Sequence, residues 1–263
     1  MLFHGEEIVV QPEYAALFRA QGVATVDDAF RVWCPGPPDP GRRSRVVELR
    51  IPRPGGSAHL FFKSYDYEGA WRLRTVFIPA RVKREFRNLL GLAKHGMPVS
   101  RPVAYGQTRA LGFVRRSFLV TEAVENAIDL RELADGKPAP FPLPDRRDRR
   151  SLITTFARQL RRCHDDEWFV YTAFFKNVLL ARGAGGYALT LIDVPFARIW
   201  RTRLVPGQGA VRDLACLQQG ARKLLTRAER MRFYRAYAGV ERLAAADKSL
   251  LRSVDAYQRR NYP

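Results

Sequence analysis

Apolar and polar positions alternate most clearly around residue 50. VVELRI (46–51) and AHLFFKSY (58–65) read as strands, and PRPGGS between them supplies a Gly-containing turn, so the pair predicts a hairpin. The period then changes. Val82, Phe86, Leu89, Leu90 and Ala93 recur at helical spacing over 79–95, with Pro79 suited to the first turn and Gly96 to the stop. Tyr14, Leu17 and Phe18 share a helical face over 12–20. SFLVTEAV (117–124) reads as a buried strand, and a helix runs from Ser151 to about His164 with Leu152, Phe156, Leu160 and Cys163 inward. VLLAR (178–182) and YALTLI (187–192) flank GAGG and predict a second hairpin. The last third looks helical, and Thr226 with Glu229 three residues on is a capping-box signature.

Two segments break these patterns. CPGPPDPGRRSR (34–45) holds four prolines and reads as a linker, and DGKPAPFPLPDRRDR (135–149) as a Pro-rich, charged loop. Strands with one helix come first, then mainly helices around a hairpin. This order predicts a bilobal α+β architecture: an N-terminal extension and linker over 1–45, a first lobe over 46–121 and a second over 122–263. No period of 20–50 residues repeats, which argues against a solenoid.

With 46% hydrophobic and 27% charged residues, the 263-residue chain has the balance of a globular protein. Its charge is less ordinary. The formal net charge is +19, and 38 of the 45 basic residues are Arg. Such an excess implies an anionic partner: nucleic acid, nucleotide, phosphorylated glycan or acidic membrane surface. Arginines cluster at 42, 43 and 45, at 146, 147, 149 and 150, at 158, 161 and 162, and at 198, 201 and 203. The surrounding loops contain few aromatics and no helix-turn-helix or zinc finger is evident, so nucleic acid is the less favoured partner. Cys34, Cys163 and Cys216 are odd in number without a CxxC pair, and the four histidines have no metal-ligand spacing. No apolar run approaches the roughly 20 residues of a membrane span. MLFHGEEIVV carries Glu6 and Glu7 and lacks a signal peptide's basic start, so the expected setting is reducing and cytoplasmic.

Four places could carry chemistry. Lys63 shares a strand face with Phe61 and Tyr65, while Glu85 puts a carboxylate on the apolar stripe of its helix. A buried charge needs a partner, and Lys63 is the nearest plausible mate; otherwise Lys63 snorkels to solvent and Glu85 sits at the stripe's edge. In the second hairpin the midpoint of 177 and 193 is Gly185, so Asn177 and Asp193 are expected side by side at its open end. An amide oxygen plus a carboxylate suits Mg²⁺ beside phosphates, and equally suits a pair that caps a hairpin. Gly55-Gly56 would let a backbone approach a phosphate, or make a tight turn. His164, at a helix end, reads first as a packing or capping group.

Taken together, these segments resemble the lipopolysaccharide kinase family, the Kdo and heptose kinases with a protein-kinase-like fold, over roughly residues 45–220. FFKSYDYEG resembles the strand with the ATP-contacting lysine, here Lys63. RVKREFRNLLGLAKHGMPVSRPVAYG resembles the following helix and loop, with Glu85 as the lysine's partner. SFLVTEAV resembles the hinge, where backbone from Glu122 to Val124 would meet adenine. LTLIDVPFARI resembles the metal-binding segment, with Asp193 as a Mg²⁺ ligand beside Asn177, and VRDLACL the helix start where Asp213 would brace the catalytic segment. The resemblance implies ATP and Mg²⁺, an anionic lipopolysaccharide-core glycolipid as acceptor, and peripheral association with the cytoplasmic face of the inner membrane.

One segment departs. Where the family reads H-x-x-G-F-V-H-R-D-L-Y-L-K-N, this chain reads HDDEWFVYTAFFKN (164–177). Register holds at His164 and Asn177, but Val170 stands at the catalytic His position and Thr172 at the catalytic Asp position. The Gly-rich loop is thin, and Pro195 stiffens the metal-binding segment. Thr172 cannot take a proton as a carboxylate does, and general-base help is worth about 10²–10⁴-fold. Positioning and metal electrostatics carry most of phosphoryl transfer. The expectation is therefore a slow kinase or a pseudokinase that binds nucleotide or a partner; a basic polyanion- or membrane-binding protein is the third reading.

Overall fold

The computed structural model describes residues 4–36, 44–67, 75–76, 79–196 and 208–262. Most of the proline linker, with Arg42 and Arg43, and the cluster Arg198, Arg201 and Arg203 lie outside the described residues. The chain divides into two compact units, Met1–Leu90 with Ser100–Ala123 and Gly91–Val99 with Val124–Pro263.

In the first unit, β1 (His4–Val10), β2 (Ser44–Arg53), β3 (Gly56–Asp66), β4 (Pro102–Ala110) and β5 (Phe113–Glu122) form one sheet in the order β1-β4-β5-β3-β2. All four pairings are antiparallel. Alternation puts Ala58, Leu60 and Phe62 of β3 on one face, where they meet Phe18, Phe30 and Trp33 from α1 (Ala15–Ala20) and α2 (Val26–Trp33). Phe62 is fully buried, its ring 5.2 Å from that of Phe118, 5.7 Å from Phe30 and 5.8 Å from Trp33. Gly106 lets this core close, because a Cβ there would stand 2.4 Å from Phe118.

The stretch read as an N-terminal extension belongs to this unit. β1 pairs with β4, and Tyr14, Leu17 and Phe18 are buried as their spacing predicts. Charge hides the strand in the sequence, and each glutamate has a partner distant along the chain: Glu6 accepts from the Val26 amide (2.6 Å), and Glu7 receives three side chains described below. β4 also escapes the pattern, since PVAYGQ is buried on both faces and shows no alternation.

The predicted helix is α3 (Arg81–Lys94). Pro79 lies ahead of its first turn, while Gly96, at φ 79°, ends it as expected. Its inward stripe is rotated from the predicted one. Val82, Glu85, Phe86, Asn88, Leu89 and Leu92 are buried, whereas Leu90 and Ala93 are exposed.

In the second unit a three-stranded sheet, β6 (Ala127–Asp129), β7 (Val178–Gly183) and β8 (Gly186–Leu191), accompanies the helices α4 (Leu130–Ala134), α5 (Arg146–Asp165), α6 (Gln208–Leu224), α7 (Arg227–Ala238) and α8 (Ala245–Asn261). α5 begins five residues before the predicted Ser151, because Asp145 caps it by accepting from the Arg147 (2.7 Å) and Asp148 (2.8 Å) amides. Thr226 and Glu229 form the predicted capping box at α7, and Glu229 also takes Arg149 Nε of α5 at 2.8 Å. Among the described residues no helix is long and apolar enough to cross a membrane.

Truncating the most enclosed ring tests the first unit's core. Phe62→Ala should lower denaturant stability by about 3–5 kcal/mol, followed by tryptophan fluorescence; a loss of under about 1 kcal/mol would contradict this packing.

Candidate functional site

Each unit carries its own constellation. In the first, Lys63 projects from the β3 face opposite Phe62, and α3 supplies Glu85, whose residue is 2% exposed. Lys63 Nζ lies 3.4 Å from Glu85 Oε1. The structure thus pairs the buried carboxylate with the lysine rather than leaving it at the stripe's edge. Phe61, expected beside Lys63, is an exposed ring, whereas Tyr65 is buried with Lys63 Nζ 5.7 Å and Arg81 5.5 Å from its ring centre. Burial pushes the Tyr65 phenol up to about 12, so it stays neutral near pH 7.

A second ion pair fixes the rotation of α3. Lys83 Nζ donates to both Glu7 oxygens at 2.6 and 2.8 Å, and Tyr105 and Gln107 each donate to Glu7 at 2.7 Å. Burial alone would raise the Glu7 carboxyl, but Lys83, Tyr105 and Gln107 outweigh it and hold it below its usual value. Lys83 and Glu85 point about 160° apart around a helix of 100° per residue, so the two pairs grip α3 from opposite sides. Neither Glu7 nor Lys83 carries a local signal of this role; their partners lie 76 or more residues away.

In the second unit the organising group is Asp213 of α6, which has no solvent exposure. Its Oδ2 accepts from the Val170 amide and its Oδ1 from the Tyr171 amide, both at 2.6 Å. His164 Nε2 donates to Oδ2 at 3.1 Å, and Tyr237's hydroxyl reaches Nδ1 at 2.8 Å. His164 is therefore a bracing group, with a partner that no local pattern announces. The brace holds Tyr171 at φ 60°, a left-handed conformation that disfavours side chains.

Thr172 follows, and it joins the two predicted cation-holding residues. Its hydroxyl donates to the Asp193 carbonyl at 2.8 Å, and its own carbonyl accepts Asn177 Nδ2 at 2.9 Å. With its amide nitrogen so committed, Asn177 presents its side-chain oxygen, which accepts from no described residue. That oxygen and the Asp193 carboxylate are hard donors of the kind Mg²⁺ takes. Among the described residues no cluster of three or more His, Cys, Asp or Glu offers another metal centre.

The hairpin geometry differs by one residue from expectation. Val178 pairs with Leu191 and Gly183 with Gly186, so Ala184-Gly185 is a two-residue turn and Asn177 stands opposite Ile192. Asp193 lies one residue beyond, at φ 55°. A one-residue slip turns a side chain to the other face of the hairpin. Val170 is a fully buried apolar side chain. Asp165 and Asp166 are exposed and bonded to Arg161 (2.7 Å) and His95 (2.8 Å).

Gly55 and Gly56 close the β2–β3 hairpin at φ 82° and 143°, with Arg53 paired to Gly56. Gly56 lies seven residues, about 23 Å, along β3 from Lys63, and Gly55 one residue further, beyond the reach of one phosphate chain. The structure gives them the reason of a turn. At the predicted hinge, the Glu122 amide donates to Arg101 O (2.8 Å) and the Ala123 amide to His59 O (2.9 Å). The Glu122 carboxylate accepts the Tyr14 hydroxyl and lies 3.7 Å from Arg101 Nη1. Val124 has the first amide of the segment without a backbone partner among the described residues.

The lipopolysaccharide kinase (Kdo/WaaP) family model matches residues 55–237. Among solved structures, WaaP in complex with acyl carrier protein aligns at a TM-score of 0.68 and 20% identity, over 98% of this chain and 100% of that one. The PknI kinase domain of Mycobacterium tuberculosis aligns at 0.42 and 14% identity, over 78% and 71%. No curated protein sequence matches the chain. The likeness to WaaP shows the fold, which is the protein-kinase-like one expected from the sequence.

Replacing one oxygen of the brace tests it. Asp213→Asn keeps one acceptor for two backbone amides and should cost about 2–3 kcal/mol in denaturant unfolding, since a buried N–H loses its partner. A change within about 0.5 kcal/mol would contradict the assigned bonds.

Proposed function

Because the chain belongs to the lipopolysaccharide kinase (Kdo/WaaP) family, we propose that it binds Mg-ATP and transfers phosphate, slowly, to a sugar of the lipopolysaccharide core, at the cytoplasmic face of the inner membrane. The single observation that carries this reading is Thr172, which links Asn177 and Asp193 although it cannot itself act as the base. The frame that would hold the cation persists where the carboxylate is missing.

The roles follow from side-chain chemistry. Lys63 would donate to the α- and β-phosphates, and Glu85 orients it through the 3.4 Å contact. Backbone from Glu122 to Val124 would meet adenine, with the Val124 amide as donor. Asn177 and Asp193 would hold Mg²⁺, with phosphate and water completing its shell; bound there, the ion would offset phosphate charge. The acceptor hydroxyl would meet Thr172, whose own proton is committed to the Asp193 carbonyl. Proton removal therefore falls to water or the transferred phosphate, and the rate loses the contribution of a general base, about 10²–10⁴-fold.

That same spent hydroxyl favours a second reading, a pseudokinase that binds nucleotide without transfer. The two readings share a nucleotide site and differ in turnover. A basic polyanion-binding protein, the third reading, predicts binding indifferent to Lys63→Ala and Asp193→Ala.

Thermal unfolding with and without millimolar Mg-ATP separates them. The nucleotide readings predict a rise in Tm that Asp193→Ala abolishes; no rise in the wild type would contradict both. Thr172→Asp should then increase transfer from labelled ATP to purified core glycolipid by up to about 10²–10⁴-fold. Retained nucleotide binding without any transfer, even in Thr172→Asp, leaves the pseudokinase.

A further inference from the structure

Beside the loop that carries Thr172 and Asn177, the second unit holds a cavity of about 420 Å³, within the range of small-molecule sites. We propose that this cavity is a subsite for an anionic sugar: the ring lies against Phe174 and Tyr262, and its phosphate or carboxylate meets Arg131, Lys176 and Lys223. Its role as acceptor subsite rests on the phosphotransfer reading above; its binding chemistry stands independently.

Among the described residues, three cations line the cavity and Asp135 is its only acid. Asp135 is shared, with Lys223 Nζ at 3.0 Å and Arg131 Nε at 3.7 Å. The Lys223 hydrogen bond holds its carboxyl below the usual range, so it is ionised near neutral pH. The lining therefore keeps an excess of two positive charges. Lys176 forms no ion pair among the described residues; its ammonium stands 6.0 Å over the Phe174 ring. An unbalanced group of cations around a concavity is complementary to an anion that brings its own bulk.

Two aromatic rings offer the sugar a face. Phe174 and Tyr262 meet edge to face, 5.2 Å apart at 83°. Tyr262 is fixed at both ends: its hydroxyl accepts from Cys216 Sγ at 3.5 Å, and its amide donates to Gln258 O at 2.8 Å. A pyranose has one face of C–H groups and an edge of hydroxyls; the first packs on an aromatic ring, the second reaches polar side chains. Consecutive bases of a nucleic acid would need parallel rings, which this pair does not offer.

Phe174 and Lys176 come from the six-residue stretch bounded by Thr172 and Asn177, so a ligand here lies beside the residues assigned to phosphate transfer. Gly220 of α6 makes the junction: a Cβ there would sit 2.3 Å from Phe175, so only glycine admits the loop this close.

The test is calorimetric binding of the deacylated, phosphorylated core oligosaccharide of a rough lipopolysaccharide to the full chain. Binding is expected, with Kd rising roughly tenfold or more in Arg131→Glu/Lys223→Glu and in the milder Arg131→Gln/Lys223→Gln. Phosphatase treatment separates the anions: lost binding assigns the phosphate, and retained, still charge-dependent binding assigns the carboxylate. No binding, affinity unchanged in both double variants, or displacement by equimolar inorganic phosphate would each overturn the sugar subsite. The Mg-ATP shift, measured on the same proteins, keeps the two proposals apart. A nucleotide shift with charge-independent saccharide binding sinks only the subsite; charge-dependent saccharide binding without a nucleotide shift sinks only the nucleotide reading.

Discussion

A carboxylate without solvent exposure must find donors for both oxygens, and Asp213 finds two backbone amides and an imidazole. The course of the segment from Val170 to Asn177 depends on that requirement. Bonded to consecutive amides, the carboxylate dictates where Val170 and Tyr171 run, and it offsets the strain of Tyr171's left-handed backbone. Thr172 is thereby delivered to the Asp193 carbonyl and its own carbonyl to Asn177. Buried charge of this kind is an expensive way to gain stability but an effective way to specify one geometry, because a misplaced loop would strand the carboxylate.

The first unit meets the same problem with ion pairs. Glu85 is as buried as its apolar neighbours on α3, and Lys63 is its counter-charge. The Glu7 network on the far side of the helix makes the rotation unambiguous. On the proposed reading, Lys63 with Glu85, and the side-chain oxygens of Asn177 and Asp193, would serve phosphoryl transfer, while Thr172, at the position where the resemblance expects a base, donates its hydroxyl to the Asp193 carbonyl. If that reading holds, binding and turnover separate, since the loose transition state draws chiefly on electrostatics and position.

Much of this was legible because the informative residues break a pattern. Glu85 is a charge on an apolar stripe, and Lys63 lies beside aromatics on its own strand. Asn177 and Asp193 bracket a hairpin with an evident turn, and the family resemblance follows the order of these segments. The failures have equally specific causes. The hairpin midpoint assumed one central residue where the turn has two, which shifts Asn177 opposite Ile192. β1 carries glutamates whose partners lie far along the chain, and β4 is buried on both faces, so neither shows alternation. Leu90 and Ala93 read as inward by residue type, whereas tertiary packing turns the stripe toward Glu85, Asn88 and Leu92. Tyr237 as the mate of His164 and the groove around Phe174 and Tyr262 arise only when separate helices assemble.

The most direct measurement of the central constraint is native-state hydrogen exchange at the amides of Val170 and Tyr171. If Asp213 holds them as assigned, both exchange only through global unfolding, with protection equal to that of the core of α6, although they lie in a loop. Exchange at the rates of an open loop, orders of magnitude faster than that core, would show that the carboxylate does not organise the segment, and the account built on it would fail.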